Sequence, residues 1–316
     1  MNLIHFRMVM PRTLTQPVVD GLGANSHVLN LVVVTSAHVP DRDALECDVV
    51  QGAANDVLGE LRELGVDRAG SIAVDGVGLM FSRQAEQIEA GQPGVLVRTP
   101  LWAAVDARIR AEATYAPSFY LFLVVAGLIG AVGIMTNSQI LIVAAMVVGP
   151  EYNAITGIAL GLDRRDRRRV REGTRAFTLG FLLAIVVTLG FAALSRGAGL
   201  QSEAFELGLR PVSHLIGTPN IFSVAVAFLA GVVGIVSLTE ARGSALLGVF
   251  ISVTTIPAAS DIAVSLAFAG WHQAWGSLIQ LLLNVLVLVA VGILTLRVQR
   301  RVWHRATRRA TARPAR

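Results

Sequence analysis

Two carboxylates stand where a carboxylate is costly. Glu151 lies in the run NSQILIVAAMVVGPEYNAITGIALGL (137–162) and Asp261 in GVFISVTTIPAASDIAVSLAFAG (248–270), both otherwise almost free of charge. Each follows a proline, Pro150 directly before Glu151 and Pro257 four residues before Asp261. Proline removes a backbone donor and disturbs the carbonyl one turn back. At membrane depth the polar groups so freed must be met by protein, ion or water. An acid at the centre of a spanning helix costs about 3 kcal/mol on insertion scales. Two chemistries answer that cost. Either the two acids face one another across an interface and bind a cation or proton, or each caps the helix N-terminus that its proline frees, where the helix dipole favours an anion. Asn137, Ser138, Asn153, Thr255, Ser260 and Asn284 add side-chain oxygens to the same apolar runs. They complete a hydration-replacing site for a small cation or make interhelical hydrogen bonds. Asn137-Ser138 also suits a helix cap.

The elements that must hold these residues are six apolar segments, at about 117–136, 138–162, 174–194, 220–239, 243–270 and 275–297. Each is near the ~20 residues that span a bilayer. The whole chain has 316 residues, 53% hydrophobic and 16% charged, with a mean hydropathy of +0.61. Soluble domains carry roughly 25% charged residues, so an ordinary cytosolic enzyme is not expected. Each Pro-broken segment follows a glycine-patterned one, GLIGAVG (127–133) and GVVGIVS (231–237), and precedes a plain one. Three spans per half is an odd number, so the second half is inverted relative to the first. That 3+3 inverted repeat with two broken helices is a recurring transporter plan.

Charge orients the spans. All basic groups are arginine; residues 163–175 hold seven against three acids, and 297–316 hold eight with none. Arginine flanking apolar segments marks loops left on the cytoplasmic side, which places both termini inside. The turn at 270–275, with Trp271 and Trp275, then falls outside, where aromatic residues gather at the interface. A nucleic-acid partner would want basic groups spread over a folded face among aromatics; none is expected. Residues 1–25 lack a basic region followed by an apolar run, so no signal peptide is expected. The bilayer is the expected partner, as a multi-pass protein of an inner or plasma membrane.

Residues 1–81 read as a cytoplasmic domain, acidic overall. Strand-like runs at about 2–10, 27–36, 45–51 and 70–81 alternate with helical patterns at about 11–22 and 52–65. The order βαββαβ is the ferredoxin-like plan. Residues 82–116 form a linker with a helix, 117–298 the transmembrane domain, and 299–316 an Arg-rich tail. His5 and Arg7 share a strand face. With Thr35, Ser36 and His38 they either hold an anionic metabolite such as a nucleotide or are solvated surface. The single Cys47 excludes a disulfide framework. No His-Glu-x-x-His, dinucleotide or phosphate-loop fingerprint and no Gly-x-Ser-x-Gly elbow is present. Neither a metal site nor an enzyme is expected, and no cofactor is assigned.

The segments GLIGAVGIMTNSQILIVAAMVVGPEYNAITGIALGL (127–162), PNIFSVAVAFLAGVVGIVSLT (219–239), GVFISVTTIPAASDIAVSLAFAG (248–270) and LLLNVLVLVAVG (281–292) resemble the bacterial membrane family called domain of unknown function 389. The chain departs from that pattern at Ala144-Ala145-Met146 and at Ile256-Pro257. The resemblance implies membership of a membrane family and no activity. Function therefore rests on the site. The expectation is a transporter or channel for a small solute or ion, homo-oligomeric, with a regulatory or dimerising cytoplasmic domain. The alternative is a membrane-anchored sensor that binds a cytosolic metabolite and transports nothing.

Overall fold

A computed structural model describes residues 3–35, 41–77, 82, 87, 99–200, 205, 207–208, 211–218, 220–239, 255–268 and 270–311. The chain divides into two units, Met1–Asp106 with Arg300–Arg316, and Ala107–Gln299.

The first unit is built on β1 (Leu3–Pro11), α1 (Arg12–Ala24), β2 (Val28–Val34), β3 (Arg42–Val50), α2 (Ala54–Glu63), α3 (Val66–Ala69) and β4 (Ser71–Val77). The strands form one antiparallel sheet in the order β2-β3-β1-β4. Alternation along β1 buries Phe6, Met8 and Met10, as the period of two requires. They pack with Leu45, Cys47 and Val49 of β3 against Val18 and Leu22 of α1 and Val57, Leu58 and Leu61 of α2. His5 and Arg7 take the opposite face. Burial pushes the Cys47 thiol up to about 12, and the charge of Asp48 beside it adds to the rise. Strand ends at 78–81 and 36 fall outside the described residues. The last turns of α12 (Trp271–Thr311) belong to this unit: Arg300 pairs with Asp106 at 3.2 Å and lies over the ring of Trp102, both on α4 (Trp102–Glu112).

The second unit is helical: α5 (Pro117–Met135), α6 (Gln139–Val148), α7 (Tyr152–Asp163), α8 (Arg167–Gly197), α9 (Pro211–Gly217), α10 (Ile221–Thr239), α11 (Ile256–Phe268) and most of α12. Among the described residues α5, α8, α10 and α12 are long and apolar enough to cross a membrane. The pair α6–α7, bent by 52° at its break, makes a fifth candidate. The fifth apolar segment of the sequence is described only from Thr255 onward, where it forms α11; its first part, 243–254, lies outside the described residues.

Two turns of the same construction join the first four helices. At the end of α5, Asn137 takes a left-handed conformation (φ 51°), and its N–H and that of Ser138 bond the carbonyls of Ile134 and Gly133. At the end of α7, Arg165 (φ 57°) and Asp166 repeat those bonds to Leu162 and Gly161. These are Schellman closures, which satisfy orphan carbonyls at a helix end. Ser138 and Asp166 then each accept a backbone N–H of the following helix, from Leu141 and Arg169. One three-residue turn thus closes one helix and opens the next.

Helix α11 is the packing centre, buried continuously from Ile256 to Ser265. It approaches α5 so closely that a β-carbon on Gly130 would overlap Ser260 Oγ, which donates to the Gly127 carbonyl at 3.2 Å. Small residues let helices meet this closely where water supplies no driving force.

Candidate functional site

The break between α6 and α7 follows from Gly149-Pro150. Pro150 brings no N–H, so α6 stops with the bond from Gly149 to the Ala145 carbonyl. Helix α7 restarts with the N–H groups of Ala154 and Ile155 on the Glu151 carbonyl. Glu151 thus occupies the N-cap position of α7, yet its side chain makes no cap bond to its own helix. Its Oε1 instead accepts from Thr255 Oγ1 at 2.8 Å. The Thr255 carbonyl accepts the first bond of α11, from the N–H of Ala259. The Glu151 carboxylate, fully buried, therefore stands at the starts of two helices. Each helix N-terminus carries about half an elementary positive charge. Gly149 is required here, because a β-carbon would strike the Glu151 carboxylate and lie 2.9 Å from Ile256 Cγ1.

The far end of α11 is met by the opposite charge. Arg196 of α8 donates to the Ala267 carbonyl, and its guanidinium lies 5.7 Å from the Phe268 ring centroid. A cation at the C-terminus and an anion at the N-terminus both oppose the dipole of this buried helix.

Asp261 lies six residues beyond Thr255, about 9 Å along a helix axis. It too is buried, and its Oδ2 accepts from Ser277 Oγ of α12 and, at 3.4 Å, from Ser265 Oγ one turn along α11. Gly217 at the end of α9 adjoins it: a β-carbon there would sit 3.6 Å from Asp261 Oδ2. Ser277 begins a buried polar line on α12 that continues through Gln280 and Asn284, joined by a 3.0 Å bond from Gln280 Nε2 to Asn284 Oδ1. Gln280 Oε1 is buried with no hydrogen-bond donor among the described residues. Thr188 Oγ1, where α8 packs on α5 against Gly127, is the same.

The residues singled out in the sequence divide accordingly. Glu151 and Thr255 are brought into direct contact, and Pro150 and Pro257 lie beside them at the starts of α7 and α11. Asp261 and Asn284 border the polar line of α12, while Ser260 faces α5. Asn137 and Ser138 close and open helices. Asn153 lies in the first turn of α7, with Oδ1 buried and no donor to it among the described residues. Ser265, Ser277, Gln280 and Thr188 were not singled out. The spacing of Ser277, Gln280 and Asn284 at i, i+3 and i+7 was their signal, since it sets three polar groups on one helix face.

On the sheet of the first unit, His5 Nδ1 donates to Asp48 Oδ1 at 2.8 Å, and Asn30 donates to Asp48 Oδ2 at 2.7 Å. Arg7 stands opposite Glu46 in the β1–β3 register. His5 is thus paired with an acid. Thr35 follows β2; Ser36 and His38 lie outside the described residues. Among the described residues no group of three His, Cys, Asp or Glu side chains converges as metal ligands would.

Residues 146–290 match the model of a family described as Domain of unknown function (DUF389). No curated protein and no solved structure matches the chain. The DUF389 segment runs from the last turn of α6 into α12 and contains Glu151, Thr255, Asp261, Ser277 and Asn284. The sheet unit and α5 precede it.

Proposed function

We propose that this protein is a transporter or channel for a small solute or ion, with its site at the two helix breaks. The observation that carries the reading is the Glu151–Thr255 hydrogen bond. It joins the starts of two short helices, α7 of 12 residues and α11 of 13, each about 20 Å long at 1.5 Å per residue. Neither reaches across a hydrocarbon core of about 30 Å. Half-helices whose N-termini meet at a charged group near the midplane are the recurring binding device of transporters built from inverted repeats. The correspondence of Pro150 before α7 with Pro257 in the first turn of α11 supports six spans in two inverted halves. The Gln280 and Thr188 oxygens, without a partner among the described residues, and the Asp261–Ser277 pair supply further polar groups for a solute or its water.

In this reading the protein is not an enzyme. It lies in an inner or plasma membrane with both termini cytoplasmic, as the arginine distribution supports. The strand order β2-β3-β1-β4 supports a ferredoxin-like unit that gates transport or joins copies into a homo-oligomer.

A second reading, a membrane-anchored sensor, is favoured by the sheet unit having its own core. The polar His5–Asp48–Asn30 face would then hold the metabolite.

A thermal-shift screen of the full-length protein against monovalent and divalent cations and nucleotides separates the two. A ligand at 100 times its dissociation constant adds about 2.7 kcal/mol. The transport reading expects a cation hit that Glu151→Gln or Asp261→Asn abolishes. A nucleotide hit that both variants retain and Asp48→Asn removes would replace it with the sensor.

A further inference from the structure

The turn between α7 and α8 carries more positive charge than the fold consumes. Residues 163–175 hold seven arginines and three acids. Asp163 pairs with Arg297 at 2.7 Å, Asp166 with Arg169 at 3.5 Å and Glu172 with Arg168 at 2.8 Å. Arg165, Arg167, Arg171 and Arg175 have no carboxylate partner among the described residues. These four line one groove of about 680 Å³. Arg167, Arg171 and Arg175 recur at i, i+4 and i+8 on α8, so one helix face presents all three, and Arg165 joins them from the turn. Cytoplasmic loops in general collect arginine, but that bias does not gather the unpaired ones into one cavity.

The remaining walls are of another kind. Leu162 and Val170 are apolar, and Thr174 and Thr178 lead along α8 out of the charged region. Beyond them the helix exposes Leu179, Leu182, Leu183 and Val186. Helix α8 has 31 residues, about 46 Å, against a hydrocarbon core of about 30 Å. Its charged first turns therefore stand at the membrane boundary while its apolar flank faces lipid. A ligand that fits has an anionic head and an apolar body continuous with the bilayer.

Arg165 reaches the groove from the turn that closes α7. It holds a left-handed backbone (φ 57°) at the closing position of α7, where glycine or asparagine is the ordinary occupant.

We propose that this groove binds the phosphate of an anionic phospholipid, with the four guanidinium groups on the headgroup and the acyl chains along the apolar flank of α8. Basic pockets beside membrane helices are suited to such headgroups. An inorganic phosphate would use the arginines and leave the apolar walls unfilled.

The test uses the full-length protein in detergent micelles, probed with dioleoylphosphatidylglycerol, dioleoylphosphatidylcholine and inorganic phosphate. Native mass spectrometry reads lipid retention and a melting curve reads stabilisation. All four arginines are exposed, so neutralising them leaves the core intact. Phosphatidylglycerol retention is expected to exceed that of phosphatidylcholine and to fall about fivefold for each of Arg171→Gln and Arg175→Gln. Arg168→Gln removes an equal charge from outside the groove and is expected to leave retention unchanged. Arg165→Gly is expected to lower retention while raising or preserving the melting temperature, whereas a purely structural arginine would leave retention as it was. Equal retention of the two lipids would overturn the proposal. So would retention unaffected by Arg171→Gln and Arg175→Gln, or a melting shift with inorganic phosphate equal to that with phosphatidylglycerol, which would assign the groove to the free ion.

Discussion

Thr255 Oγ1 donates to Glu151 Oε1 at 2.8 Å across 104 residues of chain. The bond ties the break in one apolar segment to the start of the helix in another. Without it, a fully buried carboxylate would lose a hydroxyl donor.

Thr255→Val keeps the side-chain shape and removes the donor. Hydrogen bonds to charged groups contribute about 1.5–3 kcal/mol, so the variant is expected to lose stability in that range. Thr255→Ser, which keeps the hydroxyl, should recover most of it. Denaturant titration of the detergent-solubilised protein measures both.

Ser277→Ala makes the corresponding test at Asp261. Its hydroxyl is the closer of the two that reach Asp261 Oδ2. The expected loss is again about 1.5–3 kcal/mol. Ser265→Ala, whose bond is 3.4 Å long, should cost less. Reversal of that order would mean that Ser277 is not the principal partner of the carboxylate.

Cys47 sets a pH dependence in the sheet unit. Burial raises its thiol from 9.0 to about 12 in the folded protein. The folded state thus holds the proton more tightly than the unfolded state. Its contribution to stability is complete below about pH 9 and is lost as pH rises toward 12. Iodoacetamide at pH 9 should leave the folded protein unmodified and alkylate the thiol after denaturation. Rapid labelling of folded protein would contradict the burial of Cys47. Cys47→Ala should flatten the alkaline limb of the stability curve.

Much of this arrangement was legible in the residues. Glu151 and Asp261 stood out because charge in an apolar run demands an explanation, and the prolines beside them marked where helices restart. Alternation in LIHFRMVMP placed His5 and Arg7 opposite Phe6, Met8 and Met10, and the spacing of strands and helices matched the sheet unit closely. What periodicity does not carry is the identity of a neighbour. It marked Thr255 as polar but not as the donor to Glu151, because that contact depends on how two helix starts converge. Asn137-Ser138 suited a helix cap, and the backbone shows that role: Asn137 takes the left-handed conformation and Ser138 caps α6. Ser277 and Gln280 carry no charge, so they drew no notice, although their spacing with Asn284 put all three on one buried face. Alternation placed His5 on its face but did not name its partner, Asp48, whose Oδ1 it reaches at 2.8 Å.

The most direct measurement is solute flux into proteoliposomes containing wild-type protein or Glu151→Gln, reconstituted at equal density and assayed with sodium, potassium, proton and divalent-cation indicators. The account predicts flux above protein-free vesicles for the wild type with at least one indicator. It predicts a loss of about tenfold or more in Glu151→Gln, the order expected when a buried charged contact worth at least 1.5 kcal/mol is removed. The melting temperature should show that the variant is folded. Wild-type flux left unchanged by Glu151→Gln would contradict the assignment of the two helix breaks as the transport site.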